Sequence, residues 1–517
     1  MTPHDLLAAF ETLADAPDGV KRLRDLVLSL AVRGELVRQD PREGRAAELL
    51  AQLQESKRAS VASWGLRRSR PLAGIPADVP HEVPSAWTWC RMGDVANPQA
   101  GFAFRSTGFN EIGEGLPLIR IRDVLGGQTD TFFAGEYRDE FIVEKGDFLI
   151  GMDGNFNIGR WQGRRALLNQ RVTRLRWFSG NVEPSFITIA LQERLSELHG
   201  SKAYTTVQHL SGKQMEDALI PLPPLAEQHR IVARVDELMG LLDRLEADRN
   251  TRDELRRAAR DAALADLRNA PDPEAVETAW TRIAQQMDDL FIEPEDVAPL
   301  RQAVLELAVL GRLTGDDVGS WSPTCLGDLL VDGPTNGWSP KAVDYPTPVK
   351  SLKLSATTRG YFDSEQYKYV DPSGGIDDRL WLKPGDLLIQ RSNTPEYVGT
   401  AAVYDGPLRT FIYPDLMMRC RFAPTVDVAF IHVALSAPAC RTWVSAKASG
   451  TSKSMVKINQ STVRSIPLSL PPKAKQIEIV ESVRRLHELC DRLMVRLTSS
   501  RVLQAQFAGA AVHHLHI

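Results

Sequence analysis

Five places in this 517-residue chain carry residue types that could do covalent or metal chemistry, and none completes a site. Glu144 and Lys145 stand near Asp139, a charge set of the kind a nuclease uses, but they lie where a strand is expected to begin and read as its charged border. Ser211-Gly212-Lys213 has the lysine of a phosphate loop without the upstream glycine or the following Ser or Thr. Two Pro-Pro steps, Leu222-Pro223-Pro224-Leu225 and Leu470-Pro471-Pro472-Lys473, lack the preceding Asn or Asp and the following aromatic that an amino-methyltransferase needs. The terminal His513-His514-Leu515-His516 reads as a tail. The expectation is a chain with no catalytic residue, no metal and no cofactor.

Recognition chemistry is better represented. Arg and Lys pair with guanine edges, and Asn and Gln with adenine. Polar turns that could present such groups in the first half are Gly101–Arg105, Asp153-Gly154-Asn155 and the tract from Lys202 to Thr206. In the second half they are Asn336-Gly337-Trp338, Arg391–Thr394 and Gly450–Lys453. The candidate DNA-contacting residues are therefore Arg105, Asn155, Arg160, Lys202, Tyr204 and Thr205, then Asn336, Trp338, Lys341, Arg391, Asn393, Lys453 and Lys457. Charge distribution points the same way. Gly154–Val182 holds six arginines and no acid, and Val428–Ile477 holds seven basic residues and no acid, so each half has one stretch suited to phosphates. A solvated basic face is the other reading of either stretch.

The elements that would position these residues are duplicated. Residues 23–36 (LRDLVLSLAVRGEL) and 300–313 (LRQAVLELAVLGRL) match at 9 of 14 positions, and residues 223–245 and 471–493 match at 12 of 23. Between the paired blocks lie two stretches that barely resemble each other. A repeated frame with different fillings is built to present two different surfaces. Bulk properties exclude other classes: hydrophobic content of 43% and charged content of 25% are globular values. No apolar run reaches membrane-spanning length and no secretion signal is visible. The five cysteines form no CxxC pair and read as reduced thiols of a cytoplasmic protein.

The predicted class is α+β: two mixed or β-rich domains in a pseudo-twofold repeat, joined by long antiparallel coiled-coil helices. The expected division is a helical region and linker over 1–86, a variable domain over 87–222, a helical region over 223–320, a second variable domain over 321–470 and a final helix over 471–517. A charged helix is expected over Glu43–Lys57. In both variable domains a Gly-Asp turn (Gly146-Asp147, Gly385-Asp386) leads into an apolar strand, a structural role for those aspartates. After each Pro-Pro step, apolar residues recur at heptad spacing: Ile231, Val235, Leu238, Leu242 and Leu245 step 4, 3, 4, 3, and Ile479, Val483, Leu486, Cys490, Leu493 and Leu497 step 4, 3, 4, 3, 4. The shared register predicts that the two seams pack on each other. One helix over residues 225–268 would span about 66 Å at 1.5 Å per residue. DNA half-sites on one face recur about 34 Å apart, so such a rod suits a two-part site.

The blocks RLRDLVLSLAVRGELVRQDP, PLPPLAEQHRIVARVDELMGLLDRLE and LRQAVLELAVLGRL resemble the specificity subunit of type I restriction–modification enzymes, the bacterial defence systems, and the repeat layout covers nearly the whole chain. The resemblance implies a non-catalytic subunit whose two target recognition domains each read one half of an asymmetric double-stranded DNA site. It implies helices that set the spacer and dock two methyltransferase subunits, with restriction–translocase subunits joining the complex, and no membrane partner. Two features depart from the pattern. Lys475 stands where Glu227 does in the first copy, and Glu478 stands opposite Arg230, which predicts unequal docking surfaces. Residues 87–222 hold 15 basic against 16 acidic residues, and 321–470 hold 16 against 13, which predicts weak DNA binding by this chain alone. Two other readings stay open: a coiled-coil scaffold without base readout, and a degenerate DNA-modifying enzyme.

Overall fold

Glycine ends the first repeat helix, Gly19–Arg33, in the way its sequence announces: Gly34 takes φ 76° and donates its N–H to Leu30 O. Space there is as restrictive as the backbone, since a Cβ on Gly34 would lie 2.5 Å from Pro84. Gly311, φ 66°, plays the same part just beyond the second repeat helix, Val297–Val309. The computed structural model describes residues 13–64, 72–154, 156–200, 210–452 and 455–514. The charged helix expected over 43–57 runs over Ala46–Ser63 instead. Asp40 caps a short turn at Pro41–Glu43 and Gly44 takes φ 84°, so helical backbone starts only after them.

The chain forms two units, one running to Arg249 and completed by residues from Gln504 onward, the other Asn250–Leu503. Each unit clamps its variable domain at one place. In the first, the entry strand Thr88–Arg91 pairs antiparallel with the exit strand Leu219–Leu222. In the second, Ser322–Cys325 pairs with Pro467–Leu470 in the matching register. The exit strand runs straight into the Pro-Pro step, and the helix after it carries a buried glutamine. Gln228 donates Nε2 to Pro223 O (2.9 Å) and accepts the N–H of Glu183 (2.9 Å). Gln476 repeats this with Pro471 O (2.8 Å) and the N–H of Asp427 (2.7 Å). One side chain thereby fixes the Pro-Pro turn and the start of the preceding domain helix, Pro184–Gly200 or Val428–Ser436, and leaves neither of its own polar atoms unpaired.

The variable domains share a fold. A four-stranded antiparallel sheet has the order Ala96–Ala100, Val172–Trp177, Phe148–Gly151, Ile158–Arg160 in the first. The order is Leu330–Asn336, Met417–Phe422, Leu387–Gln390, Ala401–Val403 in the second. A second sheet in each contains one parallel pair, Leu116–Ile119 with Ala166–Leu168 and Lys350–Leu352 with Phe411–Ile412. The Gly-Asp turns do what their sequence suggests. Gly146 and Gly385 take φ 100° and 90°, and each following aspartate accepts the N–H of the residue three before it, Glu144 or Lys383, at 2.9 Å. Asp386 also pairs with Arg421 at 2.6 Å.

The seams pack differently from the expectation. Ile231, Val235, Leu238 and Leu242 share a core with Leu23, Leu26, Val27 and Leu30 of the first repeat helix, and with Ala508. Ile479 and Val483 share one with Val304, Leu305 and Ala308. The long helices, Leu225–Asn269 and Lys473–His514, share cores further along, where Cys490 and Leu497 join Leu264 and Leu267. Heptad spacing states that a face is buried, not what buries it; the repeat helix, apolar at the same period, is the nearer partner. Each fully buried aliphatic side chain contributes on the order of 1.5–3 kcal/mol.

The reversed charge at Lys475 is compensated rather than merely different. In the first unit Glu227, 1% exposed, accepts from Gln39 Nε2 (2.5 Å) and from Trp87 Nε1 (3.0 Å). In the second, Lys475 pairs with Asp316 at 3.2 Å, the residue that stands where Gln39 does in the first copy. The joint persists with its polarity inverted. Deeper in the second unit, Asp296 is buried between Arg256 (2.5 Å) and Arg260, and its carboxylate also accepts the N–H groups of Ile292 (3.1 Å) and Glu293 (2.9 Å). Burial also holds the Cys90 and Cys420 thiols well above their ordinary pKa.

Candidate nucleic-acid interface

In the second variable domain three loops distant in sequence converge at one end of the four-stranded sheet. The strand Leu330–Asn336 turns at Gly337, whose N–H reaches Met417 O (3.2 Å), while Trp338 N–H reaches Tyr413 O (2.9 Å). Only glycine permits this approach, since a Cβ on Gly337 would lie 2.1 Å from Tyr413 O. Arg391 N–H bonds Leu416 O (2.8 Å), and its guanidinium lies 3.4 Å from Asp415 O. The third loop joins through a small sheet: Ser392 and Asn393 pair with Lys457 and Val456, and Ile458 N–H reaches Arg391 O (2.9 Å).

The turn Tyr413–Leu416 therefore braces the first two loops directly and the third through Arg391. Asp415 takes further contacts from the first loop, accepting at its carboxylate from the Ser339 hydroxyl and donating its N–H to Ser339 Oγ (3.2 Å). Asn393 is oriented from below by Gln390, which accepts from Asn393 Nδ2 at 2.6 Å. Gln390 is fully buried and donates in turn to Leu354 O and Thr357 Oγ1, each at 3.0 Å. Asn336, Trp338, Lys341 and Lys457 are exposed on this end, and Arg391 and Asn393 are half-buried in it. An exposed tryptophan, two amides and three cations on one rigid end can contact base edges and phosphates together.

The first domain repeats the scaffold with other side chains. Gly101 N–H bonds Val172 O (2.9 Å) and Phe102 N–H bonds Leu168 O (2.9 Å); a Cβ on Gly101 would lie 2.1 Å from Asn169 O. Met152 N–H reaches Arg171 O (3.0 Å), and Leu210 N–H reaches Met152 O (2.8 Å). These are the counterparts of the contacts at Arg391 and Ile458. Arg105 is exposed just beyond the Gly101 turn. Asn155, Lys202, Tyr204, Thr205 and Lys453 lie outside the described residues. Arg160 does not join this end. It sits at the far end of its strand, opposite Phe148, with its guanidinium 5.8 Å from that ring.

The basic stretch of the first half is not a continuous face. Arg171 pairs with Asp153, Arg165 lies 3.6 Å from Glu144, and Arg176 stacks 3.9 Å over Trp64. Arg174 donates to Gln99 Oε1 (2.8 Å) and to Ile142 O. Trp161 is 1% exposed and serves the core. A count of arginines registers charge, not the acid each one meets after folding. Sequence reasoning missed the bracing turns, Asn169–Arg171 and Tyr413–Leu416. Their signals were present as an Asn-Gln and a Pro-Asp between apolar runs.

Two like domains, each clamped into its own copy of a helical frame and each ending in a braced set of polar loops, define a duplicated recognition protein. Residues 84–254 match the family described as type I restriction modification DNA specificity domain. The chain is 24% identical over 564 aligned positions to the EcoEI specificity subunit of Escherichia coli, covering 95% of this chain and 93% of that one. It is 26% identical to the EcoBI specificity subunit of the same species, covering 80% and 81%. The EcoAI specificity subunit is 32% identical over 46% of this chain and 42% of its own length. In fold, 84% of the chain matches 99% of a chain from a type I R-M system, with a TM-score of 0.51 at 16% identity. The chain is thus similar to type I restriction–modification specificity subunits over most of its length, and residues 84–254 match their DNA specificity domain.

Proposed function

We propose that this chain is the DNA sequence-specificity subunit of a type I restriction–modification complex, with residues 87–222 and 321–470 each reading one half of a bipartite double-stranded target. The observation that carries this reading is the convergence of loops 336–341, 391–394 and 455–458 on one braced sheet end, with the same bracing contacts repeated around Gly101, Met152 and Leu210. Arg105 in the first domain, and Asn336, Trp338, Lys341, Arg391, Asn393 and Lys457 in the second, contact the DNA. The loops holding Asn155, Lys202, Tyr204, Thr205 and Lys453 complete the two surfaces. Arg160 is better assigned to the groove beside its domain.

The helices over 1–86, 223–320 and 471–517 form the frame on which two methyltransferase subunits dock, and restriction–translocase subunits join that assembly. Catalysis belongs to those partners. Leu225–Asn269, one unbroken 45-residue helix, sets the gap between the half-sites. The test is methylation mapping in a host that expresses this chain with its methyltransferase. The expected result is one motif of two short half-sites, of which one half alone changes when residues 87–215 are exchanged. Assembly without any new methylated motif would sink the base-readout reading and favour a scaffold. Inserting four residues near Asp248 lengthens the rod by about 6 Å and should widen the gap by about two base pairs; an unchanged gap would remove the helix as the ruler.

A further inference from the structure

A groove of about 630 Å3 in the second unit is lined by the repeat helix, the domain helix Val428–Ser436, the loop 358–361 and the helix after the second Pro-Pro step. Its walls carry four arginines (Arg301, Arg359, Arg441, Arg484) against one carboxylate, Glu396. Arg301 pairs with Asp491. Among the described residues the other three have no carboxylate partner. Arg359 donates to the Tyr361 hydroxyl (3.1 Å), and Arg441 donates Nη2 to the backbone O of Glu396 (2.8 Å), leaving Nη1 without an acceptor. Arg441 is half-buried, and the burial pulls its pKa down. Withdrawing part of a guanidinium from water with no counter-charge carries a cost that a bound anion would offset. His487 lines the same groove with Nε2 buried and unbonded.

The matching groove of the first unit has the same volume, about 630 Å3, and a different balance: Asp25 and Glu193 against Arg22 and Arg160. The groove is thus a product of the architecture, and its cationic character belongs to the second copy alone. We propose that the groove of the second unit binds a small phosphate-bearing molecule of the nucleoside-phosphate class, with Arg359, Arg441 and Arg484 holding the phosphates. Guanidinium forks match phosphate oxygens two at a time. Tyr361 and Tyr397 at the rim, with Val480 and Val483 on the wall, offer a flat ring the apolar and aromatic contact it needs. The volume lies in the range of small-molecule sites, roughly 300–1,000 Å3, and is too confined for a DNA duplex.

The test is calorimetric titration of the full chain with ADP, inorganic pyrophosphate and adenosine, repeated on the double variant R359Q/R484Q. Both arginines are exposed, so the ligand-free unfolding midpoint of the variant stays that of the parent, and lost binding is not lost folding. The expected result is one ADP per chain, bound more tightly than pyrophosphate or adenosine, with affinity falling by about tenfold or more in the variant. No heat at millimolar ADP would overturn the proposal, as would binding that R359Q/R484Q leaves unchanged, which would put the anion on the DNA-reading loops. ADP binding absent while the variant loses its methyltransferase would overturn it in favour of an acidic segment of that partner. Methylation specificity is read separately from the loops and distinguishes failure here from failure of the DNA reading.

Discussion

The two grooves share three walls, the repeat helix, the domain helix and an edge strand, and differ in chemistry: the first balances its charges and the second is cationic. Thr188, Ile189 and Gln192 in the first are replaced by His432, Val433 and Ser436 at matching turns of the second domain helix, and Asp25 is replaced by Gln302 on the repeat helix. In the first groove burial, with Glu197 nearby, pushes Glu193 up to about 7, so a carboxylate is held there partly protonated at neutral pH. In the second no acid occupies the equivalent wall and arginines face the space. Helix, sheet and frame must meet at this angle in both copies because the strand clamp and the buried glutamine are common to both. What the resulting space contains is not constrained by that geometry, so duplication has kept the joints and freed the cavities.

The largest expected departure from symmetry is at Asp296, whose equivalent in the first frame is Gly19. Asp296→Ala strands two arginines and should cost about 3–5 kcal/mol. Hydrogen exchange should show protection lost around 264–307 and retained over 19–33; equal loss in both would break the picture of separately stabilised units. Next are the two glutamines. Gln228→Ala and Gln476→Ala each leave a backbone N–H unpaired and should each cost about 1–3 kcal/mol in urea unfolding. Unequal costs would show that the joints are alike in form only.

Glu193→Gln sharpens the groove comparison through pH. A folded pKa raised above the ordinary carboxylate value means stability that is fully present below about 4.5 and is lost as pH rises through about 7. The variant should match the parent at pH 4 and exceed it at pH 8 by about 1–2 kcal/mol, after allowance for partial exposure. A constant difference across that range would remove ionisation as the cause. The smallest effects belong to the repeated ion pairs. Arg24 meets Asp243 at 2.6 Å and Arg301 meets Asp491, all with at least one partner well exposed. Arg24→Ala and Arg301→Ala should each cost about 0.2–1 kcal/mol, and equally.

The features legible in the sequence were those with a local cause. Gly34 and Gly311 terminate helices by backbone freedom, Gly146 and Gly385 turn into strands, and the Pro-Pro steps begin helices, all from residues within a few positions. The repeat exposed the frame, and the like order of the sheets follows the shared Gly-Asp element. The loops around Gly101, Asn336 and Arg391 were also legible, as polar turns between apolar strands. What stayed hidden depends on partners remote in sequence. Nothing near Ile231 says that Leu23 rather than Ile479 will cover it. The arginines after Gly154 read as a phosphate-facing patch until Asp153, Glu144 and Trp64 claim them. Asp296 reads as a surface acid until Arg256 and Arg260 enclose it.

The inverted joint, Gln39 with Glu227 in one copy and Asp316 with Lys475 in the other, bears on how a duplicated chain avoids assembling wrongly. Two similar repeat helices and two similar Pro-Pro helices allow a second pairing, in which each long helix seats on the other copy's partner. That pairing would press Glu227 against Asp316, two carboxylates in a joint that closes over one of them, and would leave Lys475 facing a neutral glutamine. The correct pairing contains no such clash. Opposite polarity at one contact therefore lets a nascent chain tell its two halves apart at the stage when their apolar faces are interchangeable. The same clash would count against two copies of the protein trading helices with one another.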